Sequence, residues 1–308
     1  MLNTNKLSLA LFVVLFIGLA ACNNASQNQE TAADATANDD MNMNATQFGG
    51  LALYTLRDTL AKNPREVLKA VAAIGYKYIE AAGYADGKFY GMEPAEFKSY
   101  LDEIGLVPVS SHHGDVTLDN ADEMIAAAKA VGFKYFVIPV PPMGHFKFNP
   151  ETQTLSMSEE LEVVTNIINT IAEKCAAVGL ECLYHNHNFE FEKNSKGIIP
   201  MDYFIANTDP KNLNFQIDLY WATKAGADPM AYFKKAPGRF KSWHVKDMDT
   251  QGRFAPVGTG QIDFATILAQ KDLSGMEYYF VEQDMTFDQA PMEAVTISHK
   301  ALGEIGFK

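Results

Sequence analysis

Eight short apolar runs alternate with eight amphipathic segments along this chain, and that alternation constrains the fold more than any single motif. The runs fall at 51–56, 76–80, 106–111, 134–139, 180–185, 214–218, 240–246 and 278–283. Helical spacing of apolar residues covers 64–75, 94–104, 120–131, 158–179, 201–206, 228–235, 263–270 and 290–304. Pro64 stands in the first turn of the first helical segment. Gly75, Gly105, Gly132 and Gly179 mark passages from helix to strand, as glycine C-caps do. Alternating βα units imply a parallel sheet joined by right-handed crossovers. An open doubly wound sheet usually carries a glycine-rich phosphate loop after its first strand. Here strand one runs into Arg57-Asp58, with neither a GxGxxG nor a Walker pattern. The expected fold is a single α/β domain, a closed (β/α)8 or TIM barrel.

The ends of the 308-residue chain read differently. Lys6 precedes an apolar run from Leu7 to Ala21 that is too short for a membrane span and is flanked like a signal peptide. It closes on Leu19-Ala20-Ala21-Cys22, which resembles the lipobox of bacterial lipoproteins. That resemblance implies cleavage before Cys22 and lipidation of its sulfur and amine. Asn23 and Asn24 follow with no Asp beside the cysteine, which by the same resemblance implies sorting to the outer membrane of the cell envelope. Residues 23–46 are polar and nearly free of large apolar side chains, so they read as a disordered tether. The barrel is left to 47–308, near the ~250 residues typical of one such domain. Membrane contact is expected through the lipid anchor alone.

A net charge of −13, with no basic stripe or stacking motif, argues against a nucleic-acid partner. Cys175 and Cys182 fall in a predicted helix and a predicted buried strand, and are expected to be inert core thiols.

Chemistry concentrates at the C-terminal ends of the later strands, which is the face on which a TIM barrel builds its site. Four stretches carry it: YHNHNFEF at 184–191, QIDLYW at 216–221, WHVKDMD at 243–249 and FVEQD at 280–284. Asp218, His244 and Glu282 end strands six, seven and eight. Three ionisable groups at a barrel mouth are either paired with one another or bound to a cation. The pairing alternative has Lys246 as its obvious partner. A divalent metal needs a fourth ligand, expected from strand five, where alternate residues His185 and His187 share a face. His185 is taken as ligand with His187 contacting substrate or moving protons, although the reverse order fits the spacing equally.

Other strand ends offer a substrate site. Glu80 closes strand two as a candidate base across the substrate from the metal, or as a helix-capping carboxylate. Lys246, two residues past His244, is placed to polarise a carbonyl or stabilise an oxyanion. His112 and His113 end strand three as partners for sugar hydroxyls, or as satisfied rim histidines. Arg57 is expected to recognise substrate or to pair with Asp58. Tyr54, Trp221 and Trp243 are candidates to stack on sugar faces, or packing residues. The longer connections 81–93, 112–118, 139–157, 186–200 and 247–262 all follow strands and should form a deep cup.

With these residues in place, the chain over about 50–305 resembles the sugar phosphate isomerase/epimerase family, the xylose isomerase-like TIM barrels. LYTLRD at strand one, the HNHNFEF turn, IDLYW, HVKDMD, GTGQIDF at 258–264 and Glu282 carry the resemblance. It implies a divalent cofactor (Mn, Co, Zn or Mg), with Asp218, His244 and Glu282 among its ligands. The sequence departs from the epimerases at strand five, where their first metal-binding glutamate is replaced by Tyr184 or His185. HNH-type turns resemble those of inosose dehydratases and keto-sugar lyases.

The resemblance implies a metal-dependent sugar isomerase/epimerase acting on a keto sugar or polyol. It would abstract a proton α to a carbonyl through a metal-stabilised enediolate. A lyase or dehydratase acting on a 3-keto glycoside or inosose is the alternative. A non-catalytic sugar-binding lipoprotein is a third reading, and a DNA repair endonuclease of the same superfamily is disfavoured by the charge. The expected partner is a small carbohydrate, with a homo-oligomer left open.

Overall fold

The computed structural model describes residues 47–152 and 154–308; the expected signal segment with Cys22 and the tether at 23–46 lie outside them. Eight parallel strands close into a barrel: β1 (Phe48–Ala52), β2 (Tyr76–Ala81), β3 (Val107–His112), β4 (Tyr135–Ile138), β5 (Glu181–His185), β6 (Leu213–Asp218), β7 (Phe240–Val245) and β8 (Tyr278–Val281). Each pairs with its neighbour in sequence, and β8 closes on β1 through Gly50↔Phe280. The TIM barrel expected from the alternation is the fold observed.

The helices follow the glycine punctuation. Pro64–Ile74, Pro94–Ile104 and Ala121–Val131 end on Gly75, Gly105 and Gly132, each in the left-handed region where a Cβ is strained. The longest, Leu161–Ala177, buries Val164, Ile168, Ile171 and Cys175, a spacing that lays one stripe on the sheet. Cys175 and Cys182 are buried free thiols, with the Cys182 thiol pushed up by burial.

Two layers of core result. The larger lies between sheet and helices. There Trp243 is fully buried and stacks on Phe233 at 5.2 Å, which corrects the expectation that it faces a sugar. It alternates with His244, so one points to the helices while the other points into the barrel. Truncating such a residue costs about 3–5 kcal/mol. Inside the barrel, Ala52, Val109, Tyr135, Val137, Leu183 and Phe280 form a small apolar plug.

β1 ends earlier than expected. Leu53–Leu56 wind into a 3-10 turn that buries Leu53 and Leu56, three residues apart, on one side. Arg57 therefore begins a short helix, Arg57–Leu60, rather than ending a strand. Three of the long strand-to-helix connections carry two-stranded ribbons: Tyr84–Ala85 with Lys88–Phe89, Phe146–Asn149 with Thr154–Met157, and Asp247–Met248 with Phe254–Ala255. They raise the rim of the barrel on the face where the motifs lie.

Candidate metal centre

Register brings the motif residues together. Asp218 stands opposite His244 across β6 and β7, and Gln216 opposite His185 across β5 and β6. One donor atom each from Asp218, His244 and Glu282 lies within 4.8 Å of the others, all three residues buried. His185 Nε2 is 4.0 Å from Asp218 Oδ2, and His185 forms its own compact group with His112 and His244.

The turn after β5 shows why its residues read as they do. Asn186 Oδ1 accepts from the Asp218 backbone N–H at 3.0 Å, which locks β6 beside the turn. Glu190, fully buried, accepts from Tyr184 Oη at 2.7 Å and from the His187 N–H at 2.8 Å. Burial pushes the Glu190 carboxyl up to about 8 against those two hydrogen bonds. Asp218 Oδ1 caps the helix Leu219–Lys224 by accepting from Trp221 N, leaving Oδ2 for the centre.

A polar relay lies beneath the centre. Glu80 Oε1 is 2.6 Å from His244 Nε2 and 2.9 Å from His112 Nε2; its Oε2 accepts from Ser110 Oγ and Gln216 Nε2, both at 2.6 Å. Burial alone would raise this carboxyl, yet the two imidazoles hold it well below the usual carboxylate range. Glu80, expected as a base across the substrate, is hydrogen-bonded within this cluster and is not among the residues lining the pocket. Its oxygens are committed to four partners behind His244. Gln216 Oε1 lies 2.9 Å from His185 Nδ1 and 2.8 Å from His112 Nε2. An amide oxygen only accepts, so His185 carries its proton on Nδ1 and its lone pair on Nε2. Burial, then the neighbouring His244, holds His185 well below its usual pKa, and therefore neutral.

His244 Nδ1 is 2.9 Å from Glu282 Oε2. Burial opposes its charge most, but Glu282 and Glu80 together carry its pKa up to about 10. Lys246 Nζ lies 2.9 Å from Asp218 Oδ2, 2.7 Å from Glu282 Oε2 and 2.8 Å from Asp284 Oδ1. The ion pairs of the pairing alternative are present, and Lys246, expected to polarise a carbonyl, lies among three carboxylates. It is 1% exposed and held by three carboxylates. The ammonium is close to Asp218 Oδ2 but not aligned with it, so that buried oxygen has no hydrogen bond.

The donor set fits a divalent cation. It offers a buried carboxylate oxygen whose near neighbour is the Lys246 ammonium, a second carboxylate and imidazole nitrogens backed by Glu80 and Gln216, the outer support that metal-binding histidines take.

A pocket of about 730 Å³ opens above, with Tyr54, Arg57, His112, His113 and Trp221 in its wall as expected, together with His185, His187, Glu282 and Asp284. Arg57 donates to Tyr54 O at 3.0 Å and lies over the Tyr54 ring at 4.3 Å rather than pairing with Asp58. His113 is the more constrained rim histidine, stacked on Phe136 at 4.1 Å with Nε2 2.9 Å from Ser111 Oγ. Burial lowers His113 to about 3, and burial with Lys246 lowers His187 to about 3. His187 Nδ1 and Trp221 Nε1 have no hydrogen-bond partner among the described residues.

Sequence reasoning missed Gln216, which does not titrate, and Asp284, although it sits two residues past Glu282 in a stretch already singled out. Burial raises Asp284 to about 7, with Lys246 opposing. Asp247, also missed, accepts from the N–H groups of Gly258, Gly260 and Ile262 and fixes the GTGQIDF loop. A Cβ at Gly260 would run into Asp247 and the Met248 carbonyl.

Residues 68–283 match the model of a family described as xylose isomerase-like TIM barrel. An inosose dehydratase of Lacticaseibacillus casei is 24% identical over 71% of this chain and 82% of that relative. The inosose dehydratase of Geobacillus thermodenitrificans (strain NG80-2) is 25% identical over 41% of this chain and 48% of its own, so the chain spans about half of that relative. Among solved structures, a sugar phosphate isomerase/epimerase from Parabacteroides distasonis ATCC 8503 superposes with a TM-score of 0.70 and 26% identity. That match covers 89% of this chain and 98% of the other.

Proposed function

The chain belongs to the xylose isomerase-like TIM barrel family, and from that footing we propose that it is a divalent-metal-dependent sugar isomerase/epimerase-type enzyme acting on a keto sugar or polyol by removing a proton α to a carbonyl. One observation carries the reading: donor atoms of the buried Asp218, His244 and Glu282 converge within 4.8 Å of one another at the barrel mouth, beneath a pocket. Asp218 Oδ2, His244 Nδ1, Glu282 Oε2 and His185 Nε2 would hold the ion. When bound, it supplies Lewis-acid polarisation of the substrate carbonyl.

The chain's residues do the rest. Glu80 takes the Nε2 proton of His244 in a hydrogen bond and so turns Nδ1 toward the carboxylates. Gln216 fixes the His185 tautomer. Trp221 Nε1–H, unpartnered, donates to a sugar oxygen. Of the three residues expected to be catalytic, Glu80 and Lys246 are engaged by neighbouring side chains, whereas His187 Nδ1, on the pocket wall, has no partner among the described residues. His187 Nδ1 takes the α-proton. Its return to carbon gives isomerisation or epimerisation.

Asp284 favours a second outcome. Its carboxyl lines the pocket, and burial raises it against the Lys246 ammonium 2.8 Å away. In its protonated form it would hand a proton to a β-hydroxyl as the C–O bond breaks, so that water leaves and a double bond forms. The inosose dehydratase relatives are similar in name to that chemistry. Cys22 is assigned as the lipid attachment site of an envelope protein, on the strength of Leu19-Ala20-Ala21-Cys22. The test is exchange of the substrate α-proton with deuterated solvent across a panel of keto sugars. Exchange occurs for any member on which the enzyme acts, whichever product follows, and none across the panel contradicts the reading.

A further inference from the structure

We propose that the substrate is a neutral keto glycoside whose apolar aglycone lies against the ribbon Phe146–Asn149/Thr154–Met157, and that the pocket selects against sugar phosphates. The proposal rests on the reading of the pocket floor as a carbohydrate site and names what the sugar carries.

The ribbon has one apolar face. Alternation puts Phe146 and Phe148 on the same side, and the antiparallel register sets Phe146 opposite Met157 and Phe148 opposite Leu155. Between them stand Lys147, Asn149, Thr154 and Ser156, all exposed and polar. Phe146, Phe148 and Leu155 line the pocket, yet Phe148 remains 55% exposed, so nothing in the described chain covers its ring. An uncovered aromatic facing a cavity is a surface for a ligand rather than for the core.

The apolar wall is continuous with the polar floor. Phe146 lies 6.1 Å from Phe189, which stacks on His187 at 5.7 Å and 5°. One ligand can therefore place its sugar by His187 and Trp221 and its apolar group on the ribbon. A volume of about 730 Å³ falls within the ~300–1,000 Å³ of pockets that hold drug-sized ligands, which leaves room for more than a single sugar ring.

Charge points the same way. Histidines aside, Arg57 is the one basic residue among the described residues of the pocket wall, against Asp115, Glu282 and Asp284. The Arg57 guanidinium is tied to Tyr54, and Lys246 is held by three carboxylates. Away from the metal centre, a phosphate dianion would meet this one committed guanidinium beside Asp115 and, among the described residues of the wall, no second basic side chain other than histidine.

Calorimetric titration of the protein with phenyl β-glucopyranoside, methyl β-glucopyranoside, glucose 6-phosphate and phenol tests this. Phenyl glucoside should bind at least tenfold more tightly than methyl glucoside, and glucose 6-phosphate no more tightly than methyl glucoside. In Phe148→Ala, and in Leu155→Ala as a second exposed-face variant, the phenyl-to-methyl ratio should fall to about three or less. Equal binding of the two glucosides, or an unchanged ratio in both variants, overturns the aglycone subsite while leaving the carbohydrate reading intact. Tighter binding of the phosphate overturns the selection against sugar phosphates. Phenol binding as tightly as phenyl glucoside, or no binding of either glucoside, overturns the carbohydrate reading on which the aglycone proposal rests.

Discussion

Glu80 Oε1 lies 2.6 Å from His244 Nε2, across the barrel from β2 to β7, so the carboxylate that closes strand two acts on the centre through a histidine. Outer carboxylates of this kind typically change metal affinity by about 10–100-fold when removed. Glu80→Gln should weaken binding of Mn or Zn by that range in calorimetry while leaving the donor atoms in place. Unchanged affinity would place Glu80 outside the centre's support.

Lys246 is the cation already present among the carboxylates. Replacing it with Met leaves Asp218, Glu282 and Asp284 without their shared partner, a loss of the order of 3–5 kcal/mol for a buried pair. Metal-free Lys246→Met should therefore melt well below the parent. The rise in Tm on adding a divalent ion should be larger than in the parent, because the ion then supplies the missing charge. A smaller rise would show that Lys246 helps to hold the metal rather than competing with it.

Glu190 gives a pH signature away from the centre. Its folded pKa of about 8 lies above the ordinary 4.5. The stability it contributes is complete below about 4.5 and is lost as pH rises through about 8. Glu190→Gln, which keeps an acceptor for Tyr184 or the His187 N–H, should remove that slope. The Tm difference between variant and parent should move in favour of the variant from pH 5 to pH 9, and a flat difference would contradict the assignment.

Cys22 carries the envelope assignment. Palmitate labelling in a bacterial host should mark the full chain and vanish in Cys22→Ser. Labelling that survives the substitution would remove the lipid anchor.

Much of this was legible in the sequence because its signals are local. Apolar runs closed by Gly75, Gly105 and Gly132 mark strand and helix ends directly, and the barrel follows from their order. Asp218, His244 and Glu282 were legible because each ends such a run. Depth was not legible. Period-two alternation turns Glu80 and Lys246 inward but cannot say whether an inward side chain reaches substrate or spends its charge on neighbours from other strands. Trp243 and His244 show the same gap, since the run 240–245 is apolar enough to hide which alternate faces the helices. Gln216 was invisible because an amide signals no chemistry until His112, His185 and Glu80 are placed around it. The end of β1 was lost for another reason: Leu53 and Leu56 suit a buried 3-10 turn as well as a strand.

Proton abstraction at this barrel mouth is proposed to depend on a metal held by Asp218, His244 and Glu282. The most direct measurement is elemental analysis of the purified protein, paired with deuterium exchange at the α-carbon of a keto sugar with and without chelator. The account predicts about one divalent ion per chain, exchange that stops on chelation and returns with added metal, and loss of both ion and exchange in His244→Ala. Chelator-insensitive exchange by a protein that carries no stoichiometric ion would contradict it.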